Sequence, residues 1–179
     1  MAGSKDFLDE AAAIAKALRA LGFEPVLVGG MALVILGSRR VTRDFDFVIA
    51  QPGDRLGKMI DVFYDRGLEL ASRLSDDGDV AATISNRRVA SIRLRLDAPS
   101  SAYFFNPRTG LRVDLLFDFP IPAATLAARA TRTRVRSRLF HVASEQDLLR
   151  LKKIAKARRS SPGDTQDIAF LVARRRASE

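Results

Sequence analysis

Val26 to Ala50 reads VLVGGMALVILGSRRVTRDFDFVIA. Its apolar ends, VLV and FDFVIA, have the length and composition of buried strands. Between them a Gly-Gly pair opens a short apolar helix, predicted over Met31 to Leu36. Asp44 and Asp46 interrupt the second strand, and burying two carboxylates side by side is costly unless something neutralises them. At positions i and i+2 of a strand they project from one face, roughly 7 Å apart along the backbone. Phe45 and Phe47 then point the other way, into a core. Two such carboxylates suit a hard cation, since Mg²⁺ takes one or two carboxylates and completes its shell with water and phosphate oxygens. A pair of such ions clamps the attacking and leaving oxygens of a phosphoryl displacement. The structural alternative is a turn acid plus an acid ion-paired to Arg40 or Arg43, an expensive arrangement between apolar flanks.

A third carboxylate is expected from another strand. Asp114 in RVDLLFD interrupts an apolar run as Asp46 does, and its structural alternative is an ion pair with Arg112 or another strand arginine. Asp118 is second choice because it stands at the strand end, where an Asp commonly starts a turn. Gly29 and Gly30 lie after a strand and before a helix, where missing side chains let backbone N–H groups approach a phosphate. Arg39 and Arg40 either contact that phosphate or balance the acids.

Outward from this segment, residues 5–21 predict an amphipathic helix, with Phe7, Leu8, Ala11, Ile14, Ala15, Leu18 and Leu21 at helical spacing. Residues 54–66 predict another, with Leu56, Ile60 and Phe63. Val89 to Leu96 alternates like a strand with arginine on one face. SAYFF-NPRTG-LRVDLLFD predicts a β-hairpin, with Tyr103, Phe104 and Phe105 filling the core. Arg132, Arg134, Arg136 and Arg138 recur at every second residue, which in one strand would set all four on one side. Ser144 and Asp147 form a capping pattern ahead of a helix, RRSSPGD is a loop, and Asp164 with Asp167 repeats the capping pattern. A boundary is expected between a catalytic core, 1–122, and a basic strand-helix segment, 123–179, packed on it, unless the two are one continuous domain.

A chain of 179 residues is long enough to bury a core without covalent staples, and it has no cysteine for disulfides or thiolate metal sites. His141, the only histidine, predicts a strand residue without catalytic duty and argues against a histidine-based metal centre. The start, MAGSKDFLDE, is polar and acidic where a secretory leader needs a basic start and an apolar run. The longest apolar run, Val26 to Gly37, is too short to span a bilayer. A cytoplasmic protein with no membrane partner is expected. The net charge of +9 is unevenly placed: residues 1–128 balance 16 basic against 16 acidic side chains, whereas 129–179 carry 14 against 5. A basic surface over 129–159 beside a neutral body favours a polyanionic partner such as RNA.

Together, VGGMALVILGSRRVTRDFDFVI resembles the signature of the DNA polymerase β-type nucleotidyltransferase superfamily: strand, Gly-Gly, helix, Asp-x-Asp, and a further Asp on a later strand. The form Arg40-x-Thr42-x-Asp44-x-Asp46 is similar to the AbiEii/MenT-like group, many of them toxins of toxin–antitoxin pairs. ASEQDLLRLKKIAKARRSSPGDTQDIAFL resembles that group's later Ser-x-x-Asp-Leu, Lys and Asp-x-x-Asp-Ile segment. The resemblance implies an α+β nucleotidyltransferase fold, a mixed or antiparallel sheet with flanking helices and a helical C-terminal part. It implies metal binding by Asp44, Asp46 and Asp114, with Mg²⁺ or Mn²⁺ as cofactor and an NTP as substrate. It implies nucleotide contact at Gly29, Gly30, Arg40, Thr42 and Asp167, and a catalytic Lys152 near the triphosphate, with Lys153 and Lys156 as alternatives. An antitoxin protein is a further partner it suggests.

The expected function is Mg²⁺-dependent transfer of a nucleoside monophosphate to an acceptor hydroxyl, with RNA, a tRNA 3′ end among the options, favoured by the basic final third. The alternatives are a small-molecule acceptor of aminoglycoside type, a protein acceptor, or a non-catalytic nucleotide- or RNA-binding module. A glycosyltransferase also uses Asp-x-Asp but fits the length and the Gly-Gly spacing less well. A metal-dependent nuclease would leave the glycines unexplained.

Overall fold

A computed structural model describes residues 4–159 and 161–179. Met1 to Gly3 of the polar start and Ser160 of the RRSSPGD loop lie outside the described residues. The chain runs α1 (Ser4–Ala20), β1 (Val26–Val28), α2 (Gly29–Ile35), β2 (Asp44–Ile49), a 3₁₀ turn (Gly53–Arg55), α3 (Leu56–Tyr64), β3 (Glu69–Leu74), β4 (Val80–Ile84) and α4 (Arg87–Asp97). It continues through β5 (Ser101–Phe105), β6 (Arg112–Phe117), α5 (Ala123–Arg129), β7 (Thr131–Val135), β8 (Arg138–Val142), α6 (Glu145–Arg158) and α7 (Pro162–Ala177). The described strands form one eight-stranded sheet in the order β4-β3-β5-β6-β2-β1-β8-β7. β2 pairs parallel with β6 and β1 parallel with β8, while the remaining neighbours are antiparallel. The expected α+β architecture with a mixed sheet and flanking helices is what the chain forms. No helix among the described residues is long and apolar enough to cross a membrane.

Alternation along the central strands separates a core face from an open one. Phe45, Phe47, Val113, Leu115 and Phe104 are buried on the core side. Phe63 of α3 stacks on Phe104 with ring centroids 3.9 Å apart, and Phe45 stacks on Phe140 of β8 at 6.5 Å. Of the three aromatics expected inside, Phe104 is fully buried. Tyr103 and Phe105 are only half-buried, because in a strand consecutive side chains take opposite faces. The hairpin turns where expected: Asn106 Oδ1 accepts from the N–H groups of Arg108 and Thr109, and Gly110 sits at φ 82°.

Two elements differ from the periodicity reading. Residues 89–96 are not a strand but the body of α4, which Asn86 caps by accepting from the N–H groups of Arg88 and Val89 at 2.9 and 3.2 Å. The arginine run at 132–138 is not one strand either. Arg136 and Ser137 adopt positive φ and turn β7 into β8. Arg132 and Arg134 stay on β7, while Arg138 opens β8 and donates to Asp9 of α1 at 2.7 Å. Ser144 caps α6 as expected by accepting from Asp147 N–H, but Asp147 does not reciprocate. It is fully buried in a two-point ion pair with Arg129. The N-cap of α7 is Ser161, which leaves Asp164 and Asp167 inside the helix, both buried.

Candidate active site

The alternation that defines β2 begins before it. Arg39, Val41 and Arg43 are exposed, while Arg40, Thr42, Asp44 and Asp46 turn inward along one edge of an open cleft of about 450 Å³. The Arg-x-Thr-x-Asp-x-Asp spacing is therefore one period-two edge with all four named side chains on the cleft. Asp46 lies directly across from Asp114 of β6, and Asp114 across from Tyr103 of β5. All three carboxylates line the cleft, together with Gly29, Gly30 and Lys152.

The carboxylates are poorly compensated. Asp114 Oδ1 is buried with no hydrogen-bond partner. Burial, followed by the charges of Asp46 and Asp44, pushes the Asp114 carboxyl up to about 8. Burial and the Asp44 charge push Asp46 up to about 7, against the opposing pull of Lys152, Arg159 and Arg40. Tyr103 Oη lies 3.4 Å from Asp44 Oδ1, and burial and that charge hold its phenol up at about 12, so it stays a donor. Among the described residues no three acidic, histidine or cysteine side chains stand close enough to hold an ion by themselves. The donor set nevertheless fits Mg²⁺: two acids whose ionisation is disfavoured by burial and by the charge of neighbouring carboxylates, one orphaned oxygen, and open space for water and phosphate ligands.

Gly29 belongs here for a reason the sequence alone does not show. Its φ is 69°, and a Cβ at that position would overlap the Asp46 carboxylate. A Cβ on Gly30 would press on the Arg40 guanidinium at 3.0 Å, a side chain that can shift. Gly29→Ala should thus destabilise the protein by about 1–3 kcal/mol and Gly30→Ala by less, which thermal melts of the two variants would compare.

The facing wall is cationic and is held from behind. Lys152 of α6 is nearly buried, with Nζ 2.7 Å from Asp167 Oδ2 and 3.4 Å from Asp164 Oδ1. Arg40 also pairs with Asp167, and Arg159 donates to Asp164 at 3.0 Å. The Arg159 bonds come first among the causes that hold the Asp164 carboxyl below its usual range. Asp167 itself does not line the cleft; it anchors two cations that do. Lys153 and Lys156 point to solvent, so of the three lysines only Lys152 reaches the site. Arg158 and Arg159 also line the cleft, Arg158 lying over Phe119 at 4.8 Å. Tyr103, Arg158 and Arg159 line the cleft without any local sequence pattern that marks them for it. For Tyr103 the missing signal was its register opposite Asp114. Asp118 takes no part, since it sits at φ 50° and its carboxylate accepts from the N–H groups of Ala123 and Gln51. His141 lies on β8 away from the cleft, its imidazole shifted down by burial and then by Arg19.

No protein-family model and no curated protein matches the sequence. Solved structures do match. An antigenic nucleotidyltransferase-like protein from Paracoccidioides brasiliensis aligns over 95% of this chain and 77% of its own, at TM-score 0.58 and 19% identity. The antibiotic-resistance factor ANT(2'')-Ia aligns over 96% and 85%, at TM-score 0.61 and 11% identity. The lincosamide antibiotic adenylyltransferase LnuA, solved with lincomycin bound, aligns over 91% and 94%, at TM-score 0.56 and 15% identity. At these identities the likeness is one of fold: this chain has the nucleotidyltransferase fold.

Proposed function

We propose that this chain transfers a nucleoside monophosphate from an NTP to an acceptor hydroxyl and releases pyrophosphate. The observation that carries this reading is a set of three carboxylates, Asp44, Asp46 and Asp114, two of them disfavoured as anions by burial, facing a cationic wall across one open cleft. In this reading Asp44, Asp46 and Asp114 would hold Mg²⁺ or Mn²⁺ together with water and phosphate oxygens, since no three of these side chains enclose an ion by themselves. The metal supplies Lewis-acid stabilisation of the phosphoryl oxygens and lowers the cost of ionising the acceptor hydroxyl. Lys152, Arg40 and the rim arginines receive the triphosphate charge, and the side-chain-free backbone at Gly29 and Gly30 lets a phosphate approach. Tyr103 holds Asp44 in place. Such catalysis is positioning plus charge stabilisation on a preset frame. The finer kinship we propose, AbiEii/MenT-like, rests on the Arg40-x-Thr42-x-Asp44-x-Asp46 spacing and on the Lys152, Asp164 and Asp167 segment.

For the acceptor we propose RNA. Following strand register outward from Asp46 through Val28, Leu27, Val142 and Thr131 puts Arg132 and Arg134 on the carboxylate face of the sheet. Both are exposed, and neither forms an ion pair among the described residues. The basic patch is smaller than the sequence promised, because Arg129 is committed to Asp147 and Arg138 to Asp9. A small hydroxylated acceptor is the second reading, supported by solved structures of the same fold whose ligands are lincomycin and adenylyl-2''-tobramycin. Incubation with each α-labelled NTP, Mg²⁺ and either total RNA or a panel of aminoglycosides and lincosamides separates them. Label on RNA that is lost with Arg132→Ala/Arg134→Ala supports the first, and label on a small molecule supports the second. Label on protein would indicate protein nucleotidylation. NTP binding without transfer would indicate a binding module.

A further inference from the structure

Few large apolar side chains are strongly exposed in the described structure, and three of them lie on α4: Val89, Ile92 and Leu96, 51%, 53% and 78% exposed. At about 100° per residue their spacing of i, i+3 and i+7 sets them within an arc of about 60°. Ala90 and Leu94, which pack α4 onto the fold, project from the other side of the helix. α4 thus carries two apolar faces, one used and one open. Along the flank of α4 that carries Arg93, Leu94 and Asp97 runs a groove of about 260 Å³ between α4, β3 and β5, walled by Leu70, Leu74 and Leu94. Leu74 is itself 50% exposed.

We propose that the outer face of α4 and this groove form a docking site for an acidic amphipathic helix of a partner protein. An apolar stripe at this spacing is the pattern by which one helix reads another, and the groove on the next flank of α4 gives that helix's projecting side chains a place to enter. The charge around it selects the partner. Arg88 and Arg95 border the stripe on one side and Arg73 of β3 rims the groove, and none of the three forms an ion pair among the described residues. The neighbouring Arg87 is turned to Asp61 and Asp65 of α3, and Arg93 is held by Asp97. Uncommitted cations beside an exposed apolar stripe call for carboxylates on the incoming surface. A second copy of α4 would bring the same arginines face to face. Nucleic acid would find aliphatic side chains where bases stack on aromatic ones. A lipid surface would meet a concavity and a stripe of only three residues, too little apolar area for firm attachment.

The probe is a short labelled helical peptide with leucines at i, i+3, i+4 and i+7 and glutamates along one border, titrated into the full-length protein. A control peptide has lysine for every glutamate. The acidic peptide should bind at least about tenfold more tightly than the control. Ile92→Ser/Leu96→Ser should weaken it by about tenfold or more without lowering the melting temperature, since both side chains are exposed. Arg88→Glu/Arg95→Glu should reverse the preference between the peptides. Equal binding of both peptides, or binding of neither, overturns the proposal. So does self-association in sedimentation that Ile92→Ser/Leu96→Ser abolishes, which would assign the face to a second copy. Flotation of the protein with phosphatidylglycerol vesicles would overturn it in favour of lipid. None of these readouts depends on nucleotidyl transfer.

Discussion

Asp46→Asn should cut nucleotidyl transfer by at least about a thousandfold while making the metal-free protein more stable. Both effects come from one misfit. The Asp46 carboxyl is raised from 3.8 to about 7 by burial and by Asp44, so the folded state binds its proton more tightly than the unfolded chain does. Well below 3.8 both states carry the proton and the misfit costs nothing. As pH rises from there toward 7, the unfolded chain ionises first and stability is lost, with Asp114 extending the loss to about 8. The Asn variant escapes its share, on the order of 2–4 kcal/mol at pH 8 and almost none at about pH 2.5. Thermal melts across this range, with and without Mg²⁺, give the test. Wild type should gain from Mg²⁺, and more at pH 8 than at pH 6, because the cation replaces protons. The variant should respond far less. A variant less stable than wild type at pH 8 without metal would show that Asp46 is well compensated after all.

Asp167→Ala should destabilise the protein by about 3–5 kcal/mol, because it strands Lys152 and Arg40 without their shared carboxylate. Lys152 keeps only the longer contact to Asp164. NTP affinity should fall by about tenfold as the two cations lose their fixed places. Asp167→Leu with Lys152→Met removes a buried charge of each sign and should recover most of the stability, yet leave NTP binding impaired. Urea titration measures the first effect and calorimetry the second. Recovery of both together would mean that Lys152 has no part in holding the triphosphate.

The carboxylate edge of the cleft was legible because its signal is local. Gly29-Gly30, Thr42, Asp44 and Asp46 fall within one strand-helix-strand unit, and period-two alternation alone sets the last three on one surface. Asp114 was legible for the same reason, as a charge inside an apolar strand. What failed was reading alternation where another rule governed. In VASIRLRL the alternating Ile92, Leu94 and Leu96 suggest a strand, but Asn86 in the cap position starts a helix that buries Leu94 and exposes the other two. The doubly apolar character of α4 is what made it resemble a strand. Across 132–138 the residues at the turn, Arg136 and Ser137, carry no glycine or asparagine to announce positive φ. The β3–β4 hairpin, with Asp76, Asp77 and Gly78 near its turn, went unassigned because its strands are short of buried residues. The sharing of Asp167 between Lys152 and Arg40 was beyond any local pattern, since Arg40 lies far away along the chain.

The parallel pairing of β1 with β8 bears on how the protein is made. β1 is three residues long and lies inside the sheet, with β2 on one side and β8 on the other. Its first neighbour, β2, follows after α2 and a short loop, but Leu27 meets Val142 only after most of the chain has left the ribosome. Until then the strand that leads into Gly29 has an open edge of unpaired amides beside the residues that shape the cleft. Asp44 and Asp46 are therefore synthesised early and framed late, and a nascent chain halted before Arg138 would carry them without the strand that completes their support.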